Sequence, residues 1–296
     1  MIVRILGPIG RWVVRRRLRS TLGINLRRLH IERNVVYGRT GTADLTLDLA
    51  MPRDGAGPLP AVVLLAGGAW KYYAWPTLME GILELLATLG YVTIEPHYRC
   101  VDTARFPAAV EDSKAAVRWL RANAGKYRVN PERIAALGPS SGGYLACMLG
   151  LTNPADGLDG DAGHADQSSQ VQAVVDLYGI TDLLSTPWRE QKEKGLLAPF
   201  LGATYAANPE VYRRASPLEY VRPGAPPFLI IHGEADKTVP PAQSQRLAER
   251  LTAVGASVQL SIVPGAGHGW GPPLLHETVA QVSSFLKAQL HSGAPH

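Results

Sequence analysis

Gly138-Pro139-Ser140-Ser141-Gly142 joins two apolar runs of different character, and that junction constrains the fold more than any other stretch. Arg133-Ile134-Ala135-Ala136-Leu137 enters it with the length of a short strand, and Gly143-Tyr144-Leu145-Ala146-Cys147-Met148-Leu149 leaves it as an apolar helix. A Gly-x-Ser-x-Gly turn between strand and helix holds a serine hydroxyl clear of a sheet. Glycines flank the serine because side chains there would collide in so tight a turn. Ser140 is therefore the candidate nucleophile. Five-residue glycine patterns also recur by chance, so the weight of this one depends on its partners.

A serine hydroxyl is a weak nucleophile. It needs an imidazole base, and that base needs a carboxylate to fix its tautomer. Both follow Ser140 in the chain, each after a strand-like run. Phe228-Leu229-Ile230-Ile231 leads into the polar loop 232–240, which holds Asp236. Val258 to Val263 alternates like a strand and leads into the glycine-rich loop 264–270, which holds His268. Strand ends are where an open parallel sheet places its chemistry. Asp182, after the run 171–178, is the rival carboxylate; Asp236 is preferred because its loop runs directly into a helix after the penultimate strand. His97, His164, His232 and His276 read as solvated or hydrogen-bonded histidines, His232 as a structural residue of the loop.

A tetrahedral intermediate also needs donors for its oxyanion. The strand-like run Ala61–Leu65 ends in Ala66-Gly67-Gly68-Ala69-Trp70. Glycines there let backbone approach a substrate and aim N–H groups at the developing charge. The predicted donors are the N–H groups of Gly67 and Gly68, joined by that of Ser141 after the nucleophile.

Other stretches carry a family resemblance. They are Tyr98-Arg99, Phe106 to Asp112, Arg118-Trp119-Leu120-Arg121, Asn130 to Ile134, Ala215-Ser216-Pro217-Leu218, His232-Gly233 and Val239-Pro240. From about Val35 to Phe285 the chain resembles an α/β-hydrolase esterase. The group in question includes bifunctional feruloyl/acetylxylan esterases and hormone-sensitive-lipase-like carboxylesterases. The resemblance implies a serine carboxylesterase acting on a small-molecule ester through an acyl-enzyme, with no metal or organic cofactor. Such esterases commonly carry His-Gly-Gly-x-Trp where this chain has Ala66. The change removes a side chain that braces the loop and leaves the backbone donors in place. Formamidases share the scaffold and motifs, so amide hydrolysis is a rival activity. A non-catalytic hydrolase-fold binding protein is the rival class.

Length and pattern agree with this architecture. A chain of 296 residues, 46% of them hydrophobic, suffices for one α/β domain with a large core. Strand-like runs at 45–49, 61–66, 91–95, 133–137, 171–178, 228–232 and 258–263 alternate with helix-like runs near 77–89, 107–125, 141–150, 240–254 and 274–289. That alternation predicts a mainly parallel central sheet with helices on both faces. Between the strand-like runs 171–178 and 228–232, residues 183–214 form the candidate cap. Trp188 and Phe200 of the cap, with Trp70 and Trp270 near the predicted site, are the candidate pocket aromatics. Asp156, Asp159, Asp161 and Asp166 with His164 fail the EF-hand spacing and read as a solvated loop, with no metal site. Cys100 and Cys147 are the only cysteines, which fits a reducing, cytoplasmic setting.

Charge is concentrated at the start of the chain. Nine arginines and one acid through Arg33 give +8, against +5 for the whole chain, so the remainder sums to −3. Residues 1–31 read as a basic amphipathic segment, 32–290 as the hydrolase domain and 291–296 as a tail. Ile2, Ile5, Leu6, Ile9, Trp12 and Val13, then Leu18, Leu22, Leu26 and Leu29, recur at helical spacing, with Gly7, Pro8 and Gly10 dividing the pattern into two short helices. Arg4 and Arg11 interrupt any signal-peptide core, and no apolar stretch is long enough to span a bilayer. Docking on the hydrolase body is the preferred reading, ahead of peripheral contact with an anionic membrane surface. Nucleic-acid binding is disfavoured because no stacking aromatics accompany the arginines. No pattern in the chain sets an oligomeric state.

Overall fold

Alternation along the strand Leu59–Leu64 builds the layers. Ala61 and Val63 belong to one buried cluster, and Val62 and Leu64 to another. A strand covered on both faces must divide its side chains in this way. The structure is a computed structural model that describes residues 15, 16, 19–41, 43–55, 57–271 and 273–291. Among these, eight strands form one sheet: β1 (Leu29–Thr40), β2 (Ala43–Pro52), β3 (Leu59–Leu64), β4 (Val92–Pro96), β5 (Val129–Pro139), β6 (Ala173–Leu177), β7 (Phe228–Gly233) and β8 (Val258–Val263). Their order is β1-β2-β4-β3-β5-β6-β7-β8. The pairs β1–β2 and β2–β4 are antiparallel, and every later pair is parallel.

The long helices are α1 (Pro76–Thr88), α2 (Ala108–Ala122), α3 (Ser141–Leu151), α4 (Ala242–Ala253) and α5 (Leu274–Leu290). Met79 and Leu83 of α1 and Phe285 and Leu286 of α5 pack on one face of the sheet. Side chains of α2, α3 and α4, such as Leu120, Leu145 and Leu247, pack on the other. This is the α/β-hydrolase architecture the motifs imply, with parallel strands delivering their carboxyl ends to one edge. Short helices at Trp188–Lys192, Ala198–Leu201 and Pro209–Arg214, with a π-helical turn at Glu193–Leu197, occupy the cap region.

β1 is absent from the strand-like runs of the sequence, and its geometry explains why. Its pairing with β2 shifts register between Glu32 and Val35 and again between Val36 and Gly38, and Asn34 sits at φ 54°. Those irregularities break the period-two pattern that marks a half-buried strand. β1 also begins at Leu29, inside the basic segment.

The described part of that segment lies against α1. Arg15 Nε pairs with Glu80 at 2.7 Å, and Arg19 forks onto Glu84 at 2.7 and 2.6 Å. Its first apolar residues, Ile2 to Val13, and Leu18 lie outside the described residues. None of the described helices is long and apolar enough to cross a membrane.

The acidic loop is more firmly held than a solvated loop. Asp159 accepts from Lys114 Nζ at 2.6 Å and from Ser169 at 2.9 Å, while Arg118 donates to the carbonyls of Asp159 and Gly163. Asp156 caps Asn153 and pairs with Arg222. The acids at these two positions anchor the loop to α2 and to the segment before β7; Asp161 and Asp166 remain exposed. Among the described residues, no group of three or more His, Cys, Asp or Glu side chains is placed to hold a metal ion.

Candidate active site

The turn between β5 and α3 forces Ser140 into φ 56°, ψ −121°. Two neighbours hold it there. The Ser140 N–H donates to Leu177 O at 2.8 Å, and its carbonyl accepts from Tyr144 N at 3.0 Å. A Cβ at Gly138 or at Gly142 would strike the Leu65 carbonyl, so both flanks of the turn admit only glycine. The sheet thus presents a half-buried hydroxyl at the carboxyl end of β5.

The loops after β7 and β8 bring the predicted partners to it. His268 Nε2 lies 2.9 Å from Ser140 Oγ, and His268 Nδ1 lies 2.7 Å from Asp236 Oδ2. Asp236 Oδ1 accepts from the backbone N–H groups of Thr238 at 2.7 Å and Val239 at 3.0 Å. Burial opposes ionisation of Asp236. Hydrogen bonding to His232 and His268, the His268 charge and the Val239 N–H outweigh it, and its carboxyl is held well below the usual range. An ionised Asp236 accepts from Nδ1–H, which leaves the Nε2 lone pair facing the serine hydroxyl. The imidazole can then take the Ser140 proton.

The rivals are used elsewhere. Asp182 pairs with Arg246 at 3.0 Å and accepts from Leu184 N at 2.9 Å. His232 is fully buried; its Nδ1 meets Ser244 Oγ at 2.7 Å, and its Nε2 meets Val239 O at 2.9 Å and Asp236 Oδ2 at 3.3 Å. His97 Nδ1 bonds Thr46 Oγ1 at 3.1 Å.

Opposite Ser140, Gly67 and Gly68 lead out of β3. A Cβ on Gly67 would lie 2.8 Å from Pro139 O and 3.6 Å from Ser140 Cβ, so only a glycine lets this loop approach the turn so closely. Gly68 has φ 138°, and a Cβ on it would collide with Tyr72 O. The N–H groups of Gly67 and Gly68 donate to no described residue, whereas their carbonyls are engaged. Gly67 O accepts from Ala74 N at 2.7 Å, and Gly68 O from Lys71 N at 3.0 Å. At Ala66 the buried Tyr98 hydroxyl donates to the backbone carbonyl at 2.7 Å. Ser141 opens α3, and its N–H belongs to the first turn, where helical partners are lacking.

A cleft of about 280 Å³ opens at Ser140, walled by Ile180, Leu196 and Val239, with Ala69 beside the glycines and Lys192 at the cap. The candidate pocket aromatics are placed differently. Trp70 is fully buried, stacked on Phe200 at 3.9 Å, and both belong to the core beneath the cap. Trp188 is buried and donates from Nε1 to Thr238 O at 2.8 Å, so it supports the wall of the cleft from behind. Trp270 donates to Thr278 Oγ1 and packs edge-on against Tyr178, whose ring also lies 4.9 Å from that of His268. The cap aromatics Trp188 and Phe200, expected in the pocket, are buried and anchor the cap instead, and the aliphatic residues that line the cleft have no local pattern to mark them.

A match to the BD-FAE family covers residues 47–251. The chain belongs to that family. Ser140 and Asp236 fall inside the BD-FAE match, and His268 lies beyond it. The chain is similar to esterase LipC of Mycobacterium tuberculosis, with 36% identity over 248 residues that cover 82% of this chain and 61% of LipC. It spans less than two thirds of the length of the first curated relatives it matches. Among solved structures, a truncated carbohydrate esterase from gut microbiota superposes with a TM-score of 0.76 at 27% identity, covering 89% of this chain and 97% of that one. The propionate-bound esterase Est2 of Thermogutta terrifontis gives a TM-score of 0.73 at 26% identity, covering 92% and 98%. The same Thermogutta esterase has also been captured phosphorylated by paraoxon.

Proposed function

We propose that this chain is a serine carboxylesterase hydrolysing short- to medium-chain or aryl carboxylic esters. The observation that carries the reading is His268 set between Ser140 Oγ at 2.9 Å and Asp236 Oδ2 at 2.7 Å, at the mouth of a largely aliphatic cleft. Ser140 attacks the ester carbonyl while His268 Nε2 takes its proton, and Asp236 stabilises the imidazolium. Backbone N–H groups of Gly67, Gly68 and Ser141 receive the oxyanion. The alcohol departs with the proton from His268. Water then attacks the acyl-enzyme with His268 again as base, and the acid leaves with Ser140 restored. The small cleft favours short acyl chains. The family membership and the similarity to LipC and Est2 support an ester as substrate. The basic segment serves as a docking element on the hydrolase domain, a role supported by the Arg15 and Arg19 ion pairs to α1.

The test is Ser140→Ala assayed on nitrophenyl butyrate. A loss of about 10⁵–10⁶ in kcat is expected. Retention of wild-type turnover by a clean preparation of the variant, or faster cleavage of an N-formyl amide than of the ester by the wild-type chain, overturns the reading.

A further inference from the structure

A second cavity, of about 360 Å³, opens at the carboxyl end of β4 and shares no lining residue with the cleft at Ser140. Glu95 lines it, directly across the strand pair from Asp48. Among the described residues, the other charges around it are paired among themselves. Arg33 binds Asp48 Oδ2 and Glu80 Oε1, each at 2.7 Å. Arg15 reaches Glu80 Oε2 at 2.7 Å, and Arg19 holds Glu84 at 2.6 Å. Three guanidiniums thus meet three carboxylates, and Asn34 N–H satisfies the remaining Asp48 oxygen at 3.0 Å.

Glu95 is the fourth carboxyl. It is 8% exposed, and no described residue donates to it or pairs with it. Burial, then the Asp48 charge, pushes its carboxyl up to about 8, against the pull of Arg33 and with a further push from Glu80. A cluster of balanced pairs with one extra buried carboxyl is complementary to one positive charge. The remaining walls specify what kind. Tyr73, Pro76 and His97 line the cavity, with the Tyr73 and His97 rings 5.7 Å apart. Burial pushes the His97 imidazole toward its neutral form. An aromatic face attracts an alkylammonium ion, whereas a hard metal ion needs several oxygen ligands. The metal-binding groups for that are absent among the described residues.

We propose that this cavity binds a small organic ammonium ion, with its nitrogen paired to Glu95 and its alkyl part against Tyr73 and Pro76. The cation holds Glu95 ionised, so below about pH 8 binding expels the carboxyl proton. Isothermal titration calorimetry of the full chain with n-butylammonium chloride tests this. Comparison ligands are 1-butanol and magnesium chloride at constant ionic strength. One saturable site is expected, with an affinity about tenfold higher at pH 9 than at pH 7. The charged and titratable groups facing Glu95 are Arg15, Arg33, Asp48, Glu80, Tyr73 and His97, and burial pushes the Tyr73 phenol up and the His97 imidazole down. Glu95→Gln, which keeps the side-chain shape, should weaken binding by about tenfold or more and remove the pH slope. The wild-type slope is an independent test should the variant misfold. Four results overturn the proposal: no saturable site, equal binding of 1-butanol, unchanged affinity in Glu95→Gln, or binding of magnesium in place of the ammonium.

Discussion

Asp236 and Glu95 stand at the same edge of the sheet, are buried to similar degrees, and have carboxyl groups shifted in opposite directions. Asp236 is 6% exposed and Glu95 8%. Burial raises both. Asp236 follows β7 in a loop that turns two backbone N–H groups and the His268 imidazole onto its oxygens. Glu95 lies within β4, where the neighbouring amides are committed to the sheet, and its cross-strand neighbour is another carboxylate. Donors rather than depth therefore decide the charge. A loop can wrap N–H groups around an anion; a strand in the middle of a sheet has none to spare.

The largest expected effect comes from disturbing Asp236. Asp236→Asn should leave the fold intact and lower kcat on nitrophenyl butyrate by about 10⁴, because an amide NH₂ favours the wrong histidine tautomer. A loss of less than about tenfold would show that the donors around Asp236 are irrelevant to turnover. A smaller effect is expected at the residue that links the two regions. The Tyr98 backbone carbonyl accepts from the Tyr73 hydroxyl, beside the second cavity, and the Tyr98 hydroxyl donates to Ala66 O beside the oxyanion glycines. Tyr98→Phe should lower kcat about tenfold with KM within about twofold, since it removes one buried hydrogen bond from a loop that acts in the transition state. An increase confined to KM would place Tyr98 in substrate binding instead.

The smallest effect concerns stability at Glu95. Its folded-state pKa of about 8 lies above the ordinary 4.5, so ionisation penalises the folded state progressively as pH rises between those values. Glu95→Gln should raise Tm by about 2–5 °C at pH 9 and leave it unchanged near pH 4. Equal Tm at both pH values, or a lower Tm at pH 9, would mean that Glu95 is not the exception among the buried carboxyls.

The candidate triad, though not the cleft around it, is legible in the sequence. Ser140, Asp236 and His268 each sit where a recognisable run gives way to a glycine- or polar-rich loop, and those local signals survive folding. Nothing in the sequence marks Ile180, Leu196 and Val239 as the cleft wall, because an isolated aliphatic residue carries no sign of what it faces. Residue type points Trp70 and Phe200 to the pocket, whereas their stacking buries both. β1 escaped notice because its bulges erase the alternation that identifies a strand. In the sequence Glu95 is only the end of the strand-like run 91–95, since the lack of a donor is a property of everything around it.

What the chain carries in its own order is the alternation of strands and helices, the glycines that make the Ser140 turn feasible, and the succession of nucleophile, acid and base. Each depends on steric rules acting over a few residues. What waited on tertiary structure is which groups share a hydrogen bond across long sequence separations: His268 with Ser140, Tyr98 with Ala66, Arg19 with Glu84. Charge state belongs to that second class. Asp236 takes two donors from its own loop and a third from His268, brought by the fold from another strand end, whereas Glu95 meets Asp48 across the strand pair.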